Sequence, residues 1–279
     1  MVENRPFLNI LTHLVLIAGV VVIAFPVYVA VIAMTHSQTT LSLAAPLLPG
    51  GELVANIVAV WNFDPPGLPP FWLMVLNSTV MALIIMASKI VISILSAYAI
   101  VYFRFPFRML SFWLIFITLM LPVEVRIIPT YEVVANLGML NSYWGLTVPL
   151  IASATATFLF RQFFMTVPDE LMEAARVDGA GPIRFFRDIL LPLSRTNIAA
   201  LCIILFIYGW VQYLWPLLVT TREEHFTLMM GLRQMAGVRE IEPQWNIIMT
   251  AVVLAMLPPV LIVVGMQKLF VKGLVETEK

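Results

Sequence analysis

The stretch from Met165 to Pro192 reads MTVPDELMEAARVDGAGPIRFFRDILLP. It is a densely charged interval in an otherwise apolar chain, and its punctuation is that of two short helices. Thr166 is placed to cap the first, with Asp169 three residues on as its reciprocal partner. Pro168 suits a first turn, where a missing N–H costs nothing. Leu171, Ala174, Ala175 and Asp178 fall along one side of the predicted helix, while Glu170, Glu173 and Arg176 decorate the rest. Gly179 is a natural left-handed stop. Pro182 opens a second helix with an apolar stripe of Ile183, Phe186 and Leu190, and Pro192 is expected to end it. Such an element lies outside a bilayer.

What flanks it belongs inside one. The chain has 279 residues, of which 61% are hydrophobic and only 11% charged. A soluble domain carries roughly 25% charged residues. A helical span needs about 20 mostly apolar residues, since the hydrocarbon core is about 30 Å thick and a helix rises about 1.5 Å per residue. Six stretches qualify: 14–34, 71–98, 110–128, 143–163, 197–219 and 246–267. With no water to satisfy backbone groups at that depth, they must be helices. The alternating pattern of a membrane barrel is missing. The first apolar run is too long for a cleavable signal and is read as a permanent span. Pro26, Pro122, Pro149, Pro216, Pro258 and Pro259 fall within spans and predict kinks. The expected organisation is an all-α membrane protein, one transmembrane domain over residues 1–279, with a loop at 165–196.

Basic residues set the predicted orientation. Arg5, Arg104, Arg108, Arg161, Arg176, Arg184, Arg187, Arg195, Lys268, Lys272 and Lys279 fall on one side; only Arg222, Arg233 and Arg239 fall on the other. The loop at 35–70 carries no Lys or Arg. Both termini and the 165–196 loop are therefore expected in the cytoplasm.

Read physically, the loop admits two roles: a docking element for a soluble partner, or an amphipathic helix resting on lipid. The residues alone leave both open; a resemblance points to the first. Glu173-Ala174-Ala175, three residues, Gly179, nine residues, then Ile189-Leu190-Leu191-Pro192 resembles the EAA loop of binding-protein-dependent ABC importer permeases. Asn77-Ser78-Thr79, Phe103-Arg104-Phe105-Pro106 and Gln244-Trp245-Asn246 are similar to the maltose-type branch. Glu3-Asn4-Arg5-Pro6 and the run from Leu119 to Arg126 resemble second permease subunits of bacterial sn-glycerol-3-phosphate importers.

The resemblance implies a type I importer permease fold with six spans in the inner membrane. It implies a heterodimer with a second permease, two ATPase subunits, a periplasmic binding protein, and sn-glycerol-3-phosphate or glycerophosphodiesters as cargo. Glu173, Ala174, Ala175, Arg176, Asp178, Gly179, Ile189 and Pro192 would form the coupling helix and its support. The chain itself would be non-catalytic and hold no cofactor, with ATP and Mg bound by the partner ATPase. Permeases for other sugars or polyols share the pattern, and a secondary transporter is the distant rival. Nucleic acid is not an expected partner.

Three charges sit at or near membrane depth. Lys89 lies within the second span, where a charge costs at least about 2.5 kcal/mol. It reads either as an attraction for an anionic cargo or as a structural cation, paired with Glu124 or snorkelling. Arg126 suits a phosphate, because its planar fork bonds two oxygens at once; the alternative is an interfacial or partner contact. Lys89, Glu124 and Arg126 are the candidate translocation-path residues. The loop at 220–245 reads as a binding-protein contact or a solvated linker. No G-x-x-x-x-G-K-[ST] phosphate loop, hydrolase elbow or metal-ligand cluster is present in the sequence, and Cys202 reads as a small core residue.

Overall fold

The computed structural model describes residues 6–63, 65–118, 123–237 and 243–276. Among them every regular element is helical. Three helices are long and apolar enough to cross a membrane: Leu8–Ala33, Phe71–Tyr102 and Trp245–Gln267. The first is exposed along most of its length, as expected of a helix that is hydrophobic all round and faces lipid or another chain.

Two of the six predicted spans are not single rods. The 143–163 run is two helices bent by 44°. Ser142 caps the first, its Oγ accepting from Gly145 N at 3.1 Å. A 3-10 turn at Val148–Leu150 follows, and Ser153 starts the second, accepting from Ala156 N at 3.3 Å. A serine that caps a new helix ends the old one, and inside an apolar window it barely changes hydropathy. The 197–219 run divides into Arg195–Trp210 and Leu214–Val219. Pro216 sits in the first turn of the latter, where its missing donor is harmless. The 110–128 run holds the 10-residue helix Arg108–Ile117, and Val123–Asn136 continues well beyond the predicted end. Residues 119–122 between them lie outside the described residues, and so does the kink expected at Pro122.

The chain divides into two compact units, residues 1–72 with 231–257, and residues 73–230 with 258–279. In the first, Asn56 is a buried hub. Its Nδ2 donates to the carbonyls of Met34 (2.8 Å) and His36 (2.9 Å), and its Oδ1 accepts from Asn246 Nδ2 (2.8 Å). This ties the 35–63 segment to the start of the last helix. Gly50 packs so closely there that a Cβ would strike the Thr35 carbonyl oxygen.

In the second unit, helices Phe71–Tyr102 and Arg195–Trp210 touch backbone to backbone. A Cβ on Gly209 would lie 2.8 Å from Ala82 Cα. Small residues permit such approaches in membranes, where packing rather than water exclusion holds helices together. Gly209→Val is therefore expected to destabilise by about 1–3 kcal/mol, the usual range for overpacking. A lowered thermal midpoint of the purified transporter would register it; an unchanged midpoint would mean that this crossing is not tight.

Two buried clusters organise this unit. One gathers Met81, Ile85, Ile127, Leu146, Trp215 and Val219 around the upper half of Phe71–Tyr102. The other gathers Ile94, Ala97, Tyr98, Phe160, Phe164, Ala175, Phe185 and Leu190. The second cluster joins the 165–193 segment to helices Phe71–Tyr102 and Arg195–Trp210.

Candidate functional site: residues 165–193 fastened to a long helix

Helix Asp169–Val177 starts at Pro168, with no side-chain cap. The predicted capping box does not form: Thr166 Oγ1 donates instead to Phe163 O at 2.7 Å, closing the preceding helix. The predicted stop does form. Gly179 has φ +72°, Gly179 N bonds Arg176 O at 3.0 Å, and Ala180 N bonds Ala175 O at 2.8 Å. These two bonds make a Schellman motif, completed by Ala175 and Ala180 in the same apolar cluster.

The second half departs from the predicted stripe. Pro182–Phe185 is followed by a π-turn at Phe186–Leu190, in which Leu191 N bonds Phe186 O five residues back. Helix continues through Pro192 to Leu193, and the chain then bends by 72° into Arg195–Trp210. So Pro192 does not end the second helix; the π-turn before it absorbs the irregularity. Ile183, expected inward, is 82% exposed, and Phe185 is buried in its place.

The buried side of Asp169–Val177 is set by Ala175 and Met172, while Leu171, Ala174 and Asp178 face outward. Of the four residues expected along one side, only Ala175 is buried within the chain. Glu173, Ala174, Arg176, Asp178, Gly179 and Pro192 are exposed and Ile189 is half-buried. Val177, 88% exposed, and Ile183 make this outer surface partly apolar. At its edge Arg187 bonds Asp188 at 2.7 Å, and Arg184 approaches it at 3.6 Å. The Arg187 hydrogen bond holds the Asp188 carboxyl below the usual carboxylate range. Such exposed pairs add little stability.

What fastens the segment comes from the end of Phe71–Tyr102. Tyr98 OH donates to Pro182 O at 2.8 Å, and Tyr102 OH to Phe164 O at 3.3 Å. Their rings pack on Phe186 and Phe185, with centroids 4.9 and 5.3 Å apart. A displacement of the segment must therefore move this long helix. Sequence reading missed the two tyrosines as fasteners. The only signal was two hydroxyl-bearing rings one turn apart at the end of an apolar run.

At membrane depth, Lys89 is 5% exposed and does not snorkel. Its Nζ lies 3.6 Å from the centroid of the Tyr208 ring on Arg195–Trp210, a cation–π contact. Arg126 is exposed, and its neighbour Ile127 packs in the cluster that Tyr208 lies against. The structure thus gives Lys89 an unforeseen partner in Tyr208. The expected pairing of Lys89 with Glu124 lies outside the described side chains.

Loop residues 220–230 are pinned rather than free. Asn77, wholly buried, donates to the carbonyls of Glu224 and Phe226, both at 2.9 Å, and accepts from Tyr143 OH. Ser78 Oγ accepts from Leu228 N at 2.8 Å. A solvated linker is therefore the wrong picture for this part of the loop. Arg239 lies outside the described residues.

Residues 89–276 match the family model described as "Binding-protein-dependent transport system inner membrane component". The chain is 59% identical over 281 aligned positions to the sn-glycerol-3-phosphate transport system permease protein UgpE of Salmonella typhi, covering all of both chains. It is 58% identical to the protein of that name from Escherichia coli K12, with the same coverage. Among solved structures, a bacterial ABC transporter involved in the import of the acidic polysaccharide alginate superposes with a TM-score of 0.84. It shares 18% identity and covers 96% of this chain and 98% of that one, a likeness of fold alone. Helical plan, EAA spacing and relatives agree: the chain belongs to the binding-protein-dependent transport system inner membrane components, as an ABC importer permease subunit of type I fold.

Proposed function

We propose that this chain, paired with a second permease, carries sn-glycerol-3-phosphate or glycerophosphodiesters across the inner membrane. The supporting observation is full-length identity of 59% to a permease of that name. In this reading both termini and residues 165–196 face the cytoplasm. Two ATPase subunits bind ATP and Mg, and the chain itself performs no catalysis. Glu173, Ala174, Arg176, Asp178 and Gly179 dock on one ATPase, backed by Ile189 and Pro192 and by Ala175, which is buried against the chain's own cluster. A periplasmic binding protein delivers cargo to the opposite face and meets the 220–230 segment there. ATP-driven closure of the ATPase pair pulls on the docked segment, and Tyr98 and Tyr102 pass the movement to Phe71–Tyr102. The ligand shifts the equilibrium only by what it contacts differently in the two states.

Expression in cells lacking their own glycerol-3-phosphate permease, together with the cognate partners, tests the cargo. Uptake of labelled sn-glycerol-3-phosphate is expected. Uptake of a neutral sugar or polyol in its place would reassign the transporter within the family.

Lys89 and Arg126, with Glu124, are proposed to line the cargo's path. A charge-assisted hydrogen bond contributes about 1.5–3 kcal/mol. Lys89→Leu is therefore expected to lower uptake by about tenfold or more, with Lys89→Arg retaining most of it and cargo affinity of the binding protein unchanged. Normal uptake by Lys89→Leu would remove Lys89 from the path.

A further inference from the structure

Between the 165–193 segment and the end of Phe71–Tyr102 lies a cleft of about 1040 Å³. Arg104, Arg108 and Arg176 line it, as do Tyr98 and Tyr102. Among the described residues none of the three arginines has a carboxylate within ion-pair distance. Asp169 and Glu173 also face the cleft, leaving one positive charge in excess. The cleft begins at the end of Phe71–Tyr102, an apolar helix long enough to cross a membrane.

The loop beside it points to what fills it. Phe103-Arg104-Phe105-Pro106-Phe107-Arg108 alternates large apolar rings with arginines. Phe103, Phe105 and Phe107 are all exposed, Phe107 to 76%. Phe107 also has φ +62°, a conformation bulky residues rarely take and one that persists only where the surroundings fix it. Exposed rings have no favourable place in water. Rings in the acyl boundary with guanidinium groups among phosphates are the ordinary arrangement of a lipid interface.

We infer that this cleft is a site for a monoanionic glycerophospholipid, its phosphate on Arg104, Arg108 and Arg176 and its headgroup hydroxyls donating to Asp169 and Glu173. The lipid that fits is of the phosphatidylglycerol type: one negative charge matches the excess positive charge, and two hydroxyls match the two carboxylates. Its acyl chains run beside Phe103, Phe105 and Phe107. Because one wall of the cleft is the docking helix itself, an occupied site braces that helix against the span. The site depends on membrane embedding and not on which cargo is carried.

The test is native mass spectrometry of the whole transporter, purified with its ATPase subunits from discs of equal parts phosphatidylcholine and phosphatidylglycerol. The native chain is expected to retain phosphatidylglycerol above its share of the disc. Arg104→Gln/Arg108→Gln is expected to lower that retention by about fivefold per arginine. Arg184→Gln, an exposed arginine outside the cleft, should retain it fully. Retention by the double variant equal to the native chain's, or no enrichment in the native chain, overturns the site. Loss of the ATPase from the double variant with lipid retention unchanged would show a protein surface there instead, and also overturns it. Lipid retention is read without cargo, so failure of the uptake experiment leaves this result standing, and the reverse.

Discussion

Gly179→Asp is expected to leave the transporter in the membrane and abolish most of its uptake. Gly179 has φ +72° with open space around the position an added Cβ would take, so no clash disturbs the fold. The backbone strain of a non-glycine residue there costs about 1–2 kcal/mol. The larger effect is at the proposed docking surface. Gly179 follows Asp178 on the exposed end of Asp169–Val177, and a second carboxylate there must be desolvated if a partner covers it. Burying an unpaired charge costs several kcal/mol, so uptake should fall by more than about tenfold. Gly179→Ala, which carries only the strain, should keep a substantial fraction. The measurement is uptake together with cargo-stimulated ATP hydrolysis by the reconstituted transporter. Both unchanged in Gly179→Asp would mean that this turn is not part of the coupling surface.

Tyr98→Ala should separate hydrolysis from transport in a different manner. Tyr98 is nearly buried, packs on Phe186, and bonds Pro182 O. Truncating a buried aromatic ring costs about 3–5 kcal/mol, and most of that here loosens the segment from Phe71–Tyr102. The ATPase can then dock and turn over without moving the span. Hydrolysis should become less dependent on cargo, and molecules imported per ATP should drop. Tyr98→Phe loses only one hydrogen bond, worth about 1 kcal/mol, and should behave nearly as the native chain. Equal coupling ratios in Tyr98→Ala and the native chain would show that force reaches the spans by another route, such as the 72° bend before Arg195–Trp210.

How much of this was legible in the sequence depends on what each feature competes with. Leu8–Ala33, Phe71–Tyr102 and Trp245–Gln267 were readable because long apolar runs leave no other conformation in lipid. The breaks at Ser153 and after Trp210 were not, because one capping serine or a short non-helical link scarcely lowers the hydropathy of its window. Within the 165–193 segment, Gly179 and Pro182 marked real turns, since both act through the local backbone. The buried side did not follow from local pattern. It is decided by Tyr98 and Tyr102, which lie far off in sequence, and they select Phe185 over Ile183. Lys89 was found as an anomaly of charge, but its contact with Tyr208 depends on a helix crossing that no spacing encodes. Asn77 was visible as a polar residue in an apolar run, without any sign that it holds a loop.

A cysteine at Ala174 tests the docking of residues 173–192 most directly. Ala174 is exposed and adds no bulk to the buried side; Cys202, the chain's single native thiol, is first replaced by alanine. In intact cells Ala174→Cys should resist a membrane-impermeant maleimide, and in the assembled transporter it should cross-link to the ATPase subunit in a manner that changes with bound nucleotide. Labelling from outside the cell, or no adduct with the ATPase in any nucleotide state, would contradict the docking of this segment on a cytoplasmic motor.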